Sequence, residues 1–251
     1  MMTNKHPSIV FVTPLLATIL LVQVAHGATC TIPSSRVSTN ESLYTSRTCN
    51  QAFIDMVWAH FDFDKGDWDQ GFGFHDPCNS IRPLSRTFNA LWLLAYSAED
   101  YATSTSDWSG NALRWGYPYS ASKIDELNGR CGDGTAIART WWGGWIFVDD
   151  RTNLYLSFFY NWSISARAGT IVHEARHAAG KGHNGGDDCP RGGSCDEKWT
   201  TYGANTYQVL YLWWYYVDGT RTTTALRNLA ATRAQSIIDN GFVEKPPYVI
   251  N

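Results

Sequence analysis

The sequence predicts an α+β fold stapled by disulfides. Several segments repeat their apolar residues at helical spacing. Two aromatic and β-branched runs, Trp141 to Val148 and Leu154 to Trp162, flank the turn-rich break Asp149-Asp150-Arg151-Thr152-Asn153 and read as a β-hairpin. All six cysteines lie beyond an apolar leader, so the chain is expected to fold where disulfides persist.

The leader comes first. Lys5 is the lone charge ahead of an apolar run from Ile9 to Val24, and Ala25-His26-Gly27 offers the small residues of a cleavage site. Residues 1–27 are therefore expected to be a signal peptide. An uncleaved anchor is the alternative, but Thr13, Pro14 and Gln23 interrupt a run already short for a span. Losing Lys5 from 20 basic residues leaves 19 against 23 acidic ones, a net charge of −4. No basic run remains, which argues against nucleic acid and anionic membrane surfaces, and no later stretch could span a bilayer. A secreted, extracellular monomer of one domain, residues 28–251, is expected.

Residues 28–48 are polar and loop-like. Phe53, Ile54, Val57, Trp58 and Phe61 predict a helix over 50–61. Residues 63–79 read as a Gly- and Asp-rich loop. Its Asp62, Asp64, Asp67 and Asp69 could bind calcium but miss the EF-hand register, which favours a solvated acidic loop. Helices are predicted over 87–99 and, briefly, over 120–127. After the hairpin comes a helix over 165–179, stopped by Gly180 where a left-handed cap is favoured. Residues 182–203 read as loop. Residues 204–216 suit a helix, although their aromatic density leaves a strand open. Leu226, Leu229, Ala230, Arg233 and Ile237 predict a last helix over 224–240, ending at Gly241. No internal repeat or low-complexity tract occurs.

No cysteine pair is spaced Cys-x-x-Cys, so disulfides are favoured over a zinc knuckle. Cys189 and Cys195 are close enough to close a small loop. Cys30–Cys49 and Cys78–Cys131 would then follow, although six cysteines allow about fifteen pairings. Asn40-Glu41-Ser42 and Asn161-Trp162-Ser163 are glycosylation sequons in a eukaryotic host. Twelve tryptophans, Trp141, Trp142 and Trp145 among them, invite a sugar-stacking reading, but most lie in runs that suit core packing.

The chemistry concentrates in His173-Glu174-Ala175-Arg176-His177-Ala178-Ala179-Gly180-Lys181-Gly182-His183. His173 and His177, four apart on a helix, project from one face and can reach one ion. Glu174 is offset from that face, placed to hold a water and act as general base. Gly180 lets the chain leave the helix with positive φ, so that His183 can offer a third imidazole. Five histidines remain beyond the leader, and three fall within these eleven residues.

These residues resemble the zincin metallopeptidases, and within them the metzincin motif His-Glu-x-x-His-x-x-Gly-x-x-His. The resemblance implies Zn2+ held by His173, His177 and His183, with Glu174 as base. It further implies a twisted β-sheet packed on the active-site helix in an upper lobe, about 28–182, and a smaller, mostly helical lower lobe, about 183–251. The methionine turn of metzincins has no counterpart here, since the only methionines are Met1, Met2 and Met56. Tyr202-Gly203 is similar to the Tyr-Gly of aspzincins, whose third ligand is an aspartate. The aspartate's slot holds Trp199, and Asp196 stands three residues earlier, so Asp187, Asp188 and Asp196 remain alternatives to His183. Tyr202 is a candidate donor to an oxyanion, or else an ordinary packing residue.

The function expected is a secreted zinc endopeptidase acting on proteins or peptides. A zinc amidase acting on cell-wall peptides is one alternative. Another is a glycan- or protein-binding module with a non-catalytic zinc site, although such a site has no use for Glu174.

Overall fold

A computed structural model describes residues 30–32, 48–98, 110–132, 136–141, 150–189 and 193–250. The expected leader, the sequon at Asn40, Trp142, Trp145 and most of the first hairpin strand lie outside them. The described chain is a mixed α+β fold with seven α-helices, two small sheets and three disulfides.

Helix α1 (Gln51–Phe61) begins where Asn50 accepts from the Ala52 and Phe53 amides, and it buries Phe53, Val57 and Phe61 as one stripe. Helix α2 (Pro83–Tyr96) starts four residues before the expected position. Pro83 sits in its first turn, where a fixed φ and a missing N–H cost nothing. Every residue from Pro83 to Ala95 is buried, so α2 is the central rod of the core. The aromatic rings of Phe53, Trp58 and Phe63 pack around Phe88 on this rod.

The expected helix over 120–127 is not formed as read. Helix α3 instead occupies Ala112–Ala121, capped by Asn111, with Pro118 inside it. Burial of Leu113, Trp115, Tyr117 and Tyr119 overrides the breaking signal of Gly116 and Pro118. Residues Glu126–Arg130 leave as strand β1, which pairs in parallel with β3 (Arg151–Tyr155). Strand β2 (Ala138–Trp141) runs antiparallel to β3, so the sheet order is β1-β3-β2. Of the two expected hairpin strands only Trp141, Leu154 and Tyr155 fall in this pair, and Arg151-Thr152-Asn153, expected as part of the turn, form the start of β3.

The second expected strand, Leu154 to Trp162, does not continue past Tyr155. After Tyr155 the chain turns into helix α4 (Leu156–Asn161). Consecutive Phe158, Phe159 and Tyr160 are all buried, which a strand with one wet face could not achieve. Two buried guanidiniums close this helix: Arg86 donates to the Phe159 carbonyl (3.0 Å) and Arg167 to that of Trp162 (2.8 Å). Cations at a helix C-terminus meet its unpaired carbonyls and the negative end of its dipole.

Helix α5 (Ile164–Ala178) follows, with Ser163 as N-cap. It packs against α2, α3 and β2 on one side and against α6 (Ala204–Asp218) and α7 (Thr224–Asn240) on the other. Strand β4 (Asp196–Lys198) pairs in parallel with β5 (Phe242–Glu244) inside the segment read as loop. One continuous core runs from Phe53 to Phe242. Trp68, Trp92 and Trp115 are buried in it, as core packing requires, whereas Trp141 is 41% exposed. No helix among the described residues is long and apolar enough to cross a membrane.

The disulfides are Cys30–Cys131, Cys49–Cys78 and Cys189–Cys195. The small loop forms as expected; the other two pairs are exchanged relative to Cys30–Cys49 and Cys78–Cys131. The acidic loop decides this, because it folds onto β1. Asp69 donates its amide to Gly129 O (2.9 Å) and accepts from the Cys131 amide (2.7 Å), while Arg130 pairs with Asp67 (2.9 Å). Carboxylate oxygens of Asp67 and Asp69 thus fix the loop to the strand. Peptide mapping of non-reduced protein should recover the Cys30–Cys131 and Cys49–Cys78 cross-links. Replacing Cys30 and Cys131 together by Ser should cost about 2–4 kcal/mol in denaturant unfolding, because the bridge closes a long loop.

Candidate metal centre

The centre is built on the C-terminal half of α5. His173 and His177 lie one turn apart on the same face, with their Nε2 atoms 3.1 Å apart. Ala179 ends the helix, and Gly180 takes φ +78°. The Gly180 amide donates to His177 O (2.8 Å) and the Lys181 amide to Arg176 O (3.2 Å). This is a Schellman turn, and it needs a residue without a Cβ at Gly180. The turn does more than reverse the chain. Lys181 O accepts from His177 Nδ1 (2.7 Å), which leaves the lone pair of that imidazole on Nε2, facing His173.

His183 then returns to the same place. Its ring centre lies 5.1 Å from that of His173 and 4.7 Å from that of His177, which are themselves 4.7 Å apart. One nitrogen from each ring falls within 4.8 Å of the other two. His183 Nδ1 donates to Asp196 Oδ1 (2.9 Å), which leaves Nε2 as the nitrogen that could reach an ion. Asp196 is fully buried on β4, and its other oxygen accepts from the Asn205 amide in the first turn of α6 (3.0 Å). A helix N-terminus favours a carboxylate there. A Cβ at Gly203 would strike this carboxylate, so the glycine of the Tyr202-Gly203 pair admits the close approach.

The residues fit a bound cation. The 3.1 Å between the two Nε2 atoms is close to the roughly 3.3 Å that two nitrogens share around a tetrahedral zinc ion. Burial holds His173 well below the usual imidazole range, reinforced by His177 and His183. Burial likewise lowers His177 to about 4, with the charge of His183 adding to it. Both rings are therefore neutral at pH 7 and able to coordinate. His173 Nδ1 is buried without a hydrogen bond. The nearby Gln208 amide partly offsets the lowering of this imidazole, but it holds its own bond to Thr170 Oγ1 (3.2 Å).

Glu174 is 5% exposed and faces the same cavity, of about 620 Å³, as the three imidazoles. Thr140 of β2 donates to its Oε2 (2.7 Å) and contacts Thr152 Oγ1 on β3 (2.7 Å). The hairpin is thus the element that holds the carboxylate. Burial raises Glu174 to about 7, opposed by the Thr140 hydrogen bond and by His183.

Of the alternative ligands, Asp187 and Asp188 are exposed on a short 3-10 turn, and Asp196 stands behind His183 as its hydrogen-bond partner. Tyr202 does not line the cavity. Its backbone is left-handed (φ +52°), its side chain is 40% exposed, and its carbonyl accepts from Arg176 Nε (2.8 Å). Arg176 in turn stacks on the Tyr207 ring, 4.4 Å from its centre, and so ties α5 to the turn before α6. Sequence reasoning weighed Asp196 only as a ligand and missed Thr140, Gln208 and Arg233 at the cavity, and Thr152 behind Thr140. Thr140 and Thr152 stand directly opposite in the antiparallel pair, a register the sequence did not reveal because Thr152 falls in the segment expected as the turn.

Among the described residues, these groups define a three-histidine site able to hold a metal ion. Neither a family model, nor a curated protein, nor a solved structure matches this chain.

Asp196→Asn should weaken metal binding by about 10- to 100-fold, read by competition with a chromogenic chelator, because the His183 tautomer loses its anionic partner. Unchanged affinity would separate Asp196 from the site. Glu174 supplies a second measurement. Its pKa is raised on folding, so its contribution to stability is complete below the unfolded value of 4.5 and is lost as pH rises through about 7. In metal-free protein, Glu174→Gln should therefore gain about 3 kcal/mol on the parent between pH 4.5 and pH 8, measured by denaturant unfolding.

Proposed function

We propose that this protein is a secreted zinc-dependent endopeptidase of the zincin type. The observation that carries the reading is Glu174: a buried carboxyl beside the first of three convergent imidazoles, aimed into their cavity and held by Thr140. A purely structural site would gain nothing from such a group. Three imidazoles suit zinc, and three protein ligands leave a position for water. The hairpin strand β2 lying along α5 supports the resemblance to zincins, and three disulfides support an extracellular setting.

His173, His177 and His183 would hold the ion, which when bound lowers the pKa of water and polarises a carbonyl. Glu174 accepts the proton of the water that attacks the scissile carbonyl and passes it to the departing amine. Its desolvated carboxyl, near neutrality, suits both halves of that exchange. Thr140 holds Oε2, which fixes the carboxylate plane and leaves Oε1 for the water. Lys181 O and Asp196 keep the second and third imidazoles oriented while the proton moves.

Glu174→Gln should retain one metal ion per chain yet lose about 100-fold or more in kcat on a mixed peptide library. A chelator should abolish cleavage by the parent protein, and added zinc should restore it. Full activity in the Gln variant, or in chelator, would reject the reading.

A further inference from the structure

The cavity around the imidazoles has an unbalanced lining. Arg139 from β2 and Arg233 from α7 face it with full positive charges, while Glu174 is the only carboxylate among the described residues that line it. This holds in a chain whose overall charge is negative. A bound divalent cation would deepen the imbalance. A cavity of one sign concentrates ligand groups of the other.

The two arginines are not equivalent. Arg139 is exposed, and its guanidinium lies 5.8 Å from the centre of the Trp141 ring, a loose contact. Arg233 is partly buried, with Cζ 3.9 Å above the centre of Trp162. Trp162 is itself anchored at the junction of α4 and α5, where its carbonyl accepts from buried Arg167 (2.8 Å). Stacking uses the face of a guanidinium, whereas its N–H bonds lie in the plane. The ring face restrains the guanidinium, so Arg233 loses less side-chain entropy on binding than an unstacked arginine would. Ile237, one turn further along α7, lines the same cavity and gives an apolar neighbour that sharpens electrostatic contact. Arg233 and His173 line the same cavity.

We propose that Arg233 is the receptor for a carboxylate on the substrate, making this a peptidase that selects acidic peptides. The proposal rests on the peptidase reading. A planar guanidinium pairs with a carboxylate through two parallel hydrogen bonds, which a lysine cannot reproduce. The carboxylate has two sources, the C-terminus of a peptide or an Asp or Glu side chain near the scissile bond.

The test uses binding, so that it stands apart from turnover. Zinc-loaded Glu174→Gln protein would be titrated calorimetrically with peptides of one length. One pair differs only in a C-terminal acid or amide, the other only in an internal Glu or Gln. One acidic member should bind about tenfold or more tightly than its neutral partner, and the pair that shows it names the source. Adding Arg233→Met should abolish that preference, and Arg233→Lys should remove most of it, with zinc content and melting temperature unchanged. Arg139→Met should reduce it less than either. Equal binding within both pairs, no binding by any peptide, or a preference surviving Arg233→Met would overturn the proposal. Failure of the parent protein to cleave any peptide would instead reject the peptidase reading, while an acid preference lost with Arg233 would still assign the carboxylate site.

Discussion

The left-handed turn at Gly180 is the constraint on which the candidate centre depends. Two imidazoles on one helix face cannot enclose an ion, because a third must approach from off the helix axis. A chain that continued helically past Ala179 would carry His183 along α5 instead of back across it. Positive φ at one residue turns the chain, satisfies two end carbonyls of the helix and presents Lys181 O to His177. One backbone conformation thus sets the position of the third ring and the tautomer of the second.

The third ring needs a second anchor, and Asp196 supplies it. Its carboxylate is buried between His183 and the first turn of α6, with Gly203 bare beside it. Burying a charge is costly unless every lone pair finds a donor. Here an imidazole N–H and a helix amide share the two oxygens. Arg176 ties the same turn back to α5 through Tyr202 O and the Tyr207 ring. Helix α5, the loop bearing His183 and the C-terminal helices are therefore tied together, in keeping with their common core.

Charge is arranged differently inside the cavity and outside it. The chain is acidic overall, and several of its aspartates serve locally, as where Asp67 and Asp69 fasten the acidic loop to β1. Among the described residues that line the cavity the balance reverses, with two guanidiniums against one carboxyl. That carboxyl is desolvated and held by a threonine from β2, which is how the small sheet of the described residues matters to the site.

The local features of this protein were legible in its sequence. Histidines at i and i+4, a glycine after the helix and a third histidine three residues on follow rules of helix period and φ that involve only near neighbours. Helix α7 and the Cys189–Cys195 loop were readable for the same reason. Where local signals conflicted, tertiary burial chose: α3 formed through Gly116 and Pro118, and the aromatic run after Tyr155 became helical to bury three adjacent rings. The role of Asp196, the approach of Thr140 to Glu174, the Cys30–Cys131 and Cys49–Cys78 pairs and the place of Arg233 were decided by the tertiary structure alone. Each depends on segments far apart in the chain meeting in space, and no spacing rule encodes which distant donor a buried carboxylate will find.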